Sequence, residues 1–208
     1  MNEYLYKKLG GLNSIEALIY SINFARLEEA LNRNDWGEIG RMVAQMAQTI
    51  ETAGADFLIM TSNAIHKVAD QVEAAVAIPL LHIVEPTAYA IQKAGLKKVG
   101  LLGTKVTMGE PFYLGRLQKK HGIEILVPDM ADQEKIHAII FTELVQGKVR
   151  EESKKEYLKI IDKLSKRGAE GIILGCTEIN LLIHQKDTPT PLYDTTELHA
   201  IAAVEFSL

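Results

Sequence analysis

Gly168-Ala-Glu-Gly-Ile-Ile-Leu-Gly-Cys-Thr-Glu-Ile179 is a helix stop, an acidic residue and a short apolar run ending at the one cysteine of the 208-residue chain, followed by polar residues suited to start a helix. A short apolar run bounded by turn signals reads as a buried strand. It delivers Cys176 to a helix N-terminus, where outward-facing N–H groups and the macrodipole favour negative charge, so the position suits a thiolate with an anionic ligand beside it. The competing reading is packing, because a lone cysteine is usually a small buried hydrophobe.

Gly54-Ala-Asp-Phe-Leu-Ile-Met-Thr-Ser62-Asn63 repeats this pattern without a gap, which makes Ser62 the counterpart of Cys176. The repeat continues: Pro79-Leu-Leu-His lies seventeen residues after Ser62, and Pro191-Leu-Tyr-Asp fifteen after Cys176. Two related halves would each present a strand end at a carboxyl edge, where ligands bind in open α/β sheets.

Working outward, residues 2 to 9 read as a helix stopped by Gly10-Gly11, and 14 to 21 as a strand. Met42, Val43, Met46 and Ile50 fall at helical spacing before Gly54. Strands follow at 57–60 and 78–83, with a helix from Asn63 to Glu73 between them and another opening at Pro86 and ending near Gly95. The second half reads as a strand at 98–104, a helix at 112–121, a strand at 123–127 and two helices. One of these carries Ile136, Ile139, Ile140 and Leu144 on a single face; the other carries Tyr157, Leu158, Ile161 and Leu164. The Cys176 strand, a helix from Thr177, a loop at 185–189, a strand at 191–193 and a last helix to Leu208 complete the chain.

Strands separated by helices imply parallel sheets. The predicted fold is therefore α/β, with two pseudo-symmetric parallel-sheet lobes and the active site in the cleft between them. The N-terminal lobe is expected over 1–94, with 187–208 packing back on it, and the C-terminal lobe over 95–186. The second half opens with a strand and a helix, the first with a helix alone. By that analogy the first strand of the N-terminal lobe is missing, and a βα unit of roughly fifteen to twenty residues is expected upstream of Met1.

Composition narrows the partners. A net charge of −4 and no window that concentrates Lys and Arg with aromatic residues argue against nucleic acid. No apolar run approaches a membrane span, the first residues do not read as a secretory signal, and one cysteine allows no internal disulfide, so a cytoplasmic setting is the default. The Lys/Glu-rich run at 148–167 reads as a solvated helix face, and Trp36 as packing at a helix entry. His82, His137, His184 and His199 show no metal spacing with Cys176 and read as structural or surface residues.

With both half-motifs located, the chain resembles the aspartate/glutamate racemase family, in particular its broad-specificity amino-acid racemase and L-aspartate/glutamate racemase branch. The resemblance spans essentially the whole chain. It rests on Ser62-Asn-Ala-Ile-His66-Lys, on Leu101-Leu-Gly-Thr104 with Thr107, and on Gly175-Cys-Thr-Glu178. It implies a cofactor-independent enzyme in which two side chains on opposite faces of the substrate α-carbon exchange its proton, a small-molecule amino-acid substrate, and a homodimer.

On this resemblance Cys176 is the base for the L-enantiomer. Ser62 stands where a cysteine is more usual; a hydroxyl can donate or relay a proton but is a poor base unless activated. Asn63, Thr177 and nearby backbone N–H groups are expected to hold the α-carboxylate while doubling as helix caps. Ala64 replaces a carboxylate-contacting threonine. Thr104 and Thr107 match pocket-lining residues, with capping as the alternative for Thr107. Glu178 would orient or protonate near Cys176, or merely be a first-turn helix charge, and His66 would partner Ser62 or sit satisfied in the core. The expected missing strand would end in a Gly-Gly-Met loop that contributes to the pocket. Two other readings stand beside the racemase: a one-cysteine malonate decarboxylase or dicarboxylate isomerase, and an inactive, truncated remnant that at most binds an anion.

Overall fold

The computed structural model describes all 208 residues. The chain folds into two compact units, one made of Met1–Met60, Ile65–His82 and Ala203–Leu208, the other of Thr61–Ala64 and Ile83–Ala202.

The second unit holds the α/β sheet. Its strands are β1 (Lys98–Gly103), β2 (Glu124–Leu126), β3 (Ile172–Gly175) and β4 (Leu192–Asp194), in the order β2-β1-β3-β4. Every pairing is parallel, as the alternation with helices requires. Gly103 pairs with Gly175, and Leu174 with Asp194, so the carboxyl ends of β1, β3 and β4 lie side by side. The core of this unit is built on the central strands: Val99, Leu101, Leu102, Ile172, Ile173 and Leu174 are all buried. These strands are apolar nearly throughout because helices cover both faces of such a sheet.

The helices of the first unit are α1 (Asn2–Leu9), α2 (Phe24–Asn32), α3 (Trp36–Thr52) and the short α4 (Ala69–Glu73). Those of the second are α5 (Val84–Lys93), α6 (Lys105–Gly109), α7 (Pro111–Gly115), α8 (Met130–Thr142), α9 (Glu151–Lys166) and α10 (Ile179–Leu182). The last helix, α11 (Thr195–Ser207), contributes residues to both units. Helix α5, expected with the first lobe, packs Val84, Ala88 and Ile91, together with Ile83 just before it, into the core of the second unit, and β4 completes the second unit's sheet.

The first unit has its own core, with Leu27, Ala30, Ile39, Val43, Leu58, Val68 and Val72 buried. Its sheet is reduced to one parallel bridge between Leu58 and Leu80, so the expected strands at 57–60 and 78–83 meet at a single position. The strand expected at 14–21 does not form. Residues 14–21 have no regular structure, the backbone of 16–22 makes no hydrogen bond to other backbone, and Ile19 is 88% exposed. An apolar run becomes a strand only against a partner's N–H and C=O groups, and this unit offers none beside it. Trp36 does open a helix, with the Lys67 ammonium 4.2 Å from the ring centroid.

Both glycine stops of the repeated motif behave alike. Gly54 after α3 has φ 94° and Gly168 after α9 has φ 95°, the positive-φ region that favours glycine at a helix end. The closest backbone approach at a glycine of the sheet is between glycines: a Cβ on Gly103 would lie 2.9 Å from the Gly175 carbonyl oxygen and 3.2 Å from the Thr107 Cβ. Gly103→Ala should therefore destabilise the protein by about 1–3 kcal/mol, the usual cost of overpacking. The measurement is the midpoint of urea unfolding, which should fall with no change in slope; an unchanged midpoint would mean that β1 and β3 separate without cost.

Candidate functional site

Four of the expected site residues stand at the carboxyl edge of the second unit's sheet. Thr104 follows β1, and Cys176, Thr177 and Glu178 follow β3. Thr104 is the N-cap of α6. Its hydroxyl accepts from the Thr107 backbone N–H at 3.4 Å and lies 3.2 Å from the Thr107 hydroxyl. Thr107 is fully buried and would meet a Cβ placed on either Gly103 or Gly175, so it packs on the two strand ends and Thr104, not Thr107, is the cap.

Cys176 is half-buried, and its thiol donates to Glu178 Oε2 at 2.9 Å. Burial pushes the thiol well above its ordinary value, and the Glu178 carboxylate adds to this through its charge and its hydrogen bond. The Glu178 and Thr177 backbone N–H groups act in the opposite direction by hydrogen bonding to the sulfur, but they do not prevail. The resting thiol is thus protonated at neutral pH, which departs from the thiolate expected at a helix N-terminus. The physical reason is the size of the helix: α10 has four residues and no side-chain cap, so its dipole is small beside the desolvation of the sulfur and the adjacent carboxylate.

Ser62, Asn63 and Ala64 belong to the second unit, whereas His66 belongs to the first. Asn63 is buried, and its amide Nδ2 donates to the Thr195 hydroxyl at 2.9 Å. Thr195, fully buried, donates in turn to the Leu174 carbonyl at 2.9 Å, two residues before Cys176. One side chain thereby ties the turn bearing Ser62 and Asn63 to the strand that ends at Cys176. Asn63 is not a helix cap, since its Oδ1 accepts no hydrogen bond, and Thr177 caps nothing because Glu178 is the N-cap of α10. His66 lies in the turn Ala64–Val68, with its ring centroid 4.4 Å from that of buried His82.

Thr195 was absent from the residues expected in the site. Its signal is nonetheless in the sequence: it follows Pro191-Leu-Tyr-Asp194, the strand that corresponds to Pro79-Leu-Leu-His82 in the repeat, and so stands at the carboxyl edge. Asp194 fixes it there, accepting from the Thr196 and Glu197 backbone N–H groups at 2.9 and 3.4 Å and from the Asn180 amide at 2.9 Å. No group of three or more His, Cys, Asp or Glu side chains is arranged to hold a metal ion.

The family model for Asp/Glu/Hydantoin racemase matches residues 1–203. The chain belongs to this family. It is 25% identical over 205 residues to the broad specificity amino-acid racemase RacX of Bacillus subtilis, covering 97% of this chain and 87% of that protein. Among solved structures it is similar to a candidate Asp/Glu racemase from Yersinia pestis, at 42% identity and a TM-score of 0.92, covering 99% of this chain and 90% of that one. It is also similar to an aspartate racemase homologue from Pyrococcus horikoshii OT3, at 34% identity and a TM-score of 0.85, covering 99% and 89%. No helix is long and apolar enough to cross a membrane.

The contact between Cys176 and Glu178 sets a measurable reactivity. Glu178→Gln removes a charge that raises the thiol pKa, so at mildly alkaline pH more thiolate should be present. Alkylation by iodoacetamide should then speed up by a few-fold to about tenfold, since one pKa unit is tenfold in thiolate fraction. An unchanged or slower rate would show that the carboxylate does not hold the proton on the sulfur.

Proposed function

We propose that the chain is a cofactor-independent racemase that moves the α-proton of an acidic amino acid, aspartate or glutamate. The observation that carries this reading is the thiol of Cys176 at a buried strand end, with a carboxylate oxygen 2.9 Å from the sulfur and two backbone N–H groups directed at it. The carboxylate can receive the thiol proton, and the N–H groups then stabilise the sulfur anion that remains.

In the L-to-D direction the Cys176 proton passes to Glu178 and the thiolate takes the α-hydrogen. The C–H bond breaks, its electron pair stays on the α-carbon and an S–H bond forms. A proton then reaches the other face of the α-carbon from the Ser62 hydroxyl, and the proton that Glu178 took releases to solvent as water returns one to Ser62, so the site ends as it began. Ser62 is the weaker member, since a hydroxyl gives up its proton reluctantly and is a poor base in the reverse direction. This asymmetry favours L-substrates. The resemblance extends the proposal to a homodimer, to be read by sedimentation, and the single cysteine extends it to a cytoplasmic location.

The protonated thiol also favours a second reading, in which Cys176 is a one-sided acid. A malonate that loses carbon dioxide leaves a carbanion, and the thiol proton quenches it on one face. Incubation with L-aspartate, L-glutamate and substituted malonates, scored for α-deuterium uptake from heavy water and for carbon dioxide release, separates the two.

For the racemase, Cys176→Ala should abolish α-deuterium exchange. Ser62→Cys should supply a second base and raise turnover of the D-enantiomer, a proton transfer being worth roughly 10²- to 10⁴-fold in rate. Undiminished exchange in Cys176→Ala would end the mechanism.

A further inference from the structure

The repeated motif keeps its register in both units. Leu58 donates its backbone N–H to the Pro79 carbonyl at 2.8 Å, and Ile172, its counterpart, donates to the Pro191 carbonyl at 2.8 Å. The parallel bridge between Leu58 and Leu80 is likewise the counterpart of the pair Ile172 and Leu192 in β3 and β4. His66 stands four residues after Ser62 and Asn180 four after Cys176, while His82 stands three after Pro79 and Asp194 three after Pro191. His66 therefore corresponds to Asn180, and His82 to Asp194. Each pair is in contact. The Asn180 amide donates to the Asp194 carboxylate at 2.9 Å, and the buried His66 and His82 rings have their centroids 4.4 Å apart at an interplanar angle of 60°.

We propose that the two contacts are one device in two chemistries, a latch that fastens the turn after a reacting residue to the end of the next strand. Asn180 and Asp194 are the positioning residues for Cys176, and His66 and His82 are those for Ser62. The assignment rests on the racemase reading above, in which Ser62 delivers the second proton. A latch is needed because neither turn is held by a helix able to stand alone. Helix α10 has four residues and no side-chain cap, and Ala64–Val68 is a 3₁₀ turn of five residues. Asp194 shows the device at its fullest: its second carboxylate oxygen accepts from the Thr196 and Glu197 backbone N–H groups, so α10 is tied through it to the start of α11. In the first unit the packing of two tilted rings takes the place of the amide–carboxylate hydrogen bond. A contact of modest strength suffices, since a displacement of about 1 Å at a reacting group can cost about a hundredfold in rate.

The fate of L-aspartate and L-glutamate in heavy water reads the latch. Once Cys176 has taken the α-hydrogen, its thiol exchanges with solvent. Deuterium returned to the same face gives labelled L-isomer, whereas delivery from Ser62 to the other face gives D-isomer. Inversion therefore needs Ser62, and exchange with retention does not. His66→Ala and His82→Ala should lower the ratio of inversion to retained exchange by about ten- to a hundredfold. An unfolded fraction lowers both rates alike and leaves that ratio unchanged. The double substitution His66→Asn with His82→Asp, which writes the second unit's latch into the first, should bring the ratio back to within a few-fold of wild type. Asn180→Ala should slow both outcomes together, because Cys176 acts in each.

Amide hydrogen exchange reads the same latch without turnover. Residues 64–68 should exchange faster in either alanine variant, measured against α3 of the same unit, and should regain their protection in the double variant. An unchanged ratio in both alanine variants, or a double variant no better than they are, overturns the proposal; so does an Asn180→Ala variant that lowers the ratio as the histidine variants do. If wild-type protein does not invert the substrate, the racemase reading fails by itself and amide protection alone decides: the latch stands if protection is lost in the alanine variants and regained in the double variant, and falls otherwise.

Discussion

The close approach of β1 and β3 at Gly103 and Gly175 is the constraint on which the site depends. Neither position has room for a Cβ without moving backbone or Thr107: one on Gly175 would lie 3.0 Å from the Leu102 carbonyl oxygen. Because both residues are glycine, Thr107 can settle over the two strand ends and Thr104 can cap the turn that leaves β1. Cys176 follows directly. Its position is therefore set by backbone packing within a parallel sheet, a rigid support for a reacting group, and not by the helix that comes after it.

Much of the second unit is written in local sequence. Each of its strands is a short apolar run between a glycine or proline and a polar turn, and its parallel pairing follows from the intervening helices, so β1 to β4 fall where periodicity and turn residues put them. The repeated motif is equally legible: Gly54 and Gly168 adopt nearly the same positive φ, each at the end of a long helix. The first unit was harder to read because its strands need partners that local sequence does not reveal. Ser14 to Ser21 has the composition of a strand and lies unpaired, and Phe57 to Met60 bonds through a single bridge. Helix α2 was hidden by the mixed character of Phe24–Asn32, in which Leu27 and Ala30 alone are buried.

The site was legible in its residue types and less so in its electrostatics. Sequence placed a cysteine at a strand-to-helix turn, with Thr177 and Glu178 after it, but could not weigh the burial of the sulfur against a four-residue helix. Two backbone N–H groups do point at the sulfur, as the motif implies; they are outweighed by desolvation and by a carboxylate two residues away. A thiol held in this balance responds strongly to whatever enters beside it, since a neighbouring positive charge favours the thiolate and exclusion of water amplifies that effect.

Thr195 escaped sequence reasoning for a different reason: its importance lies in a chain of two hydrogen bonds between residues far apart in sequence, Asn63 to Thr195 and Thr195 to Leu174. A threonine at a helix start looks like a cap, and nothing local says that its proton is spent on a strand carbonyl. Once that proton is assigned, the orientation of the Asn63 amide follows, and with it a buried oxygen that lacks a donor. Leaving such an acceptor unpaired costs about 1–3 kcal/mol, a sizeable part of the 5–15 kcal/mol that holds a typical domain folded. A leucine in place of Asn63 would avoid that cost but would also remove the link to Thr195 and the strand of Cys176. The polar link and the unpaired oxygen come together in one amide, whose NH2 is spent on Thr195 while its oxygen meets no donor of the fold.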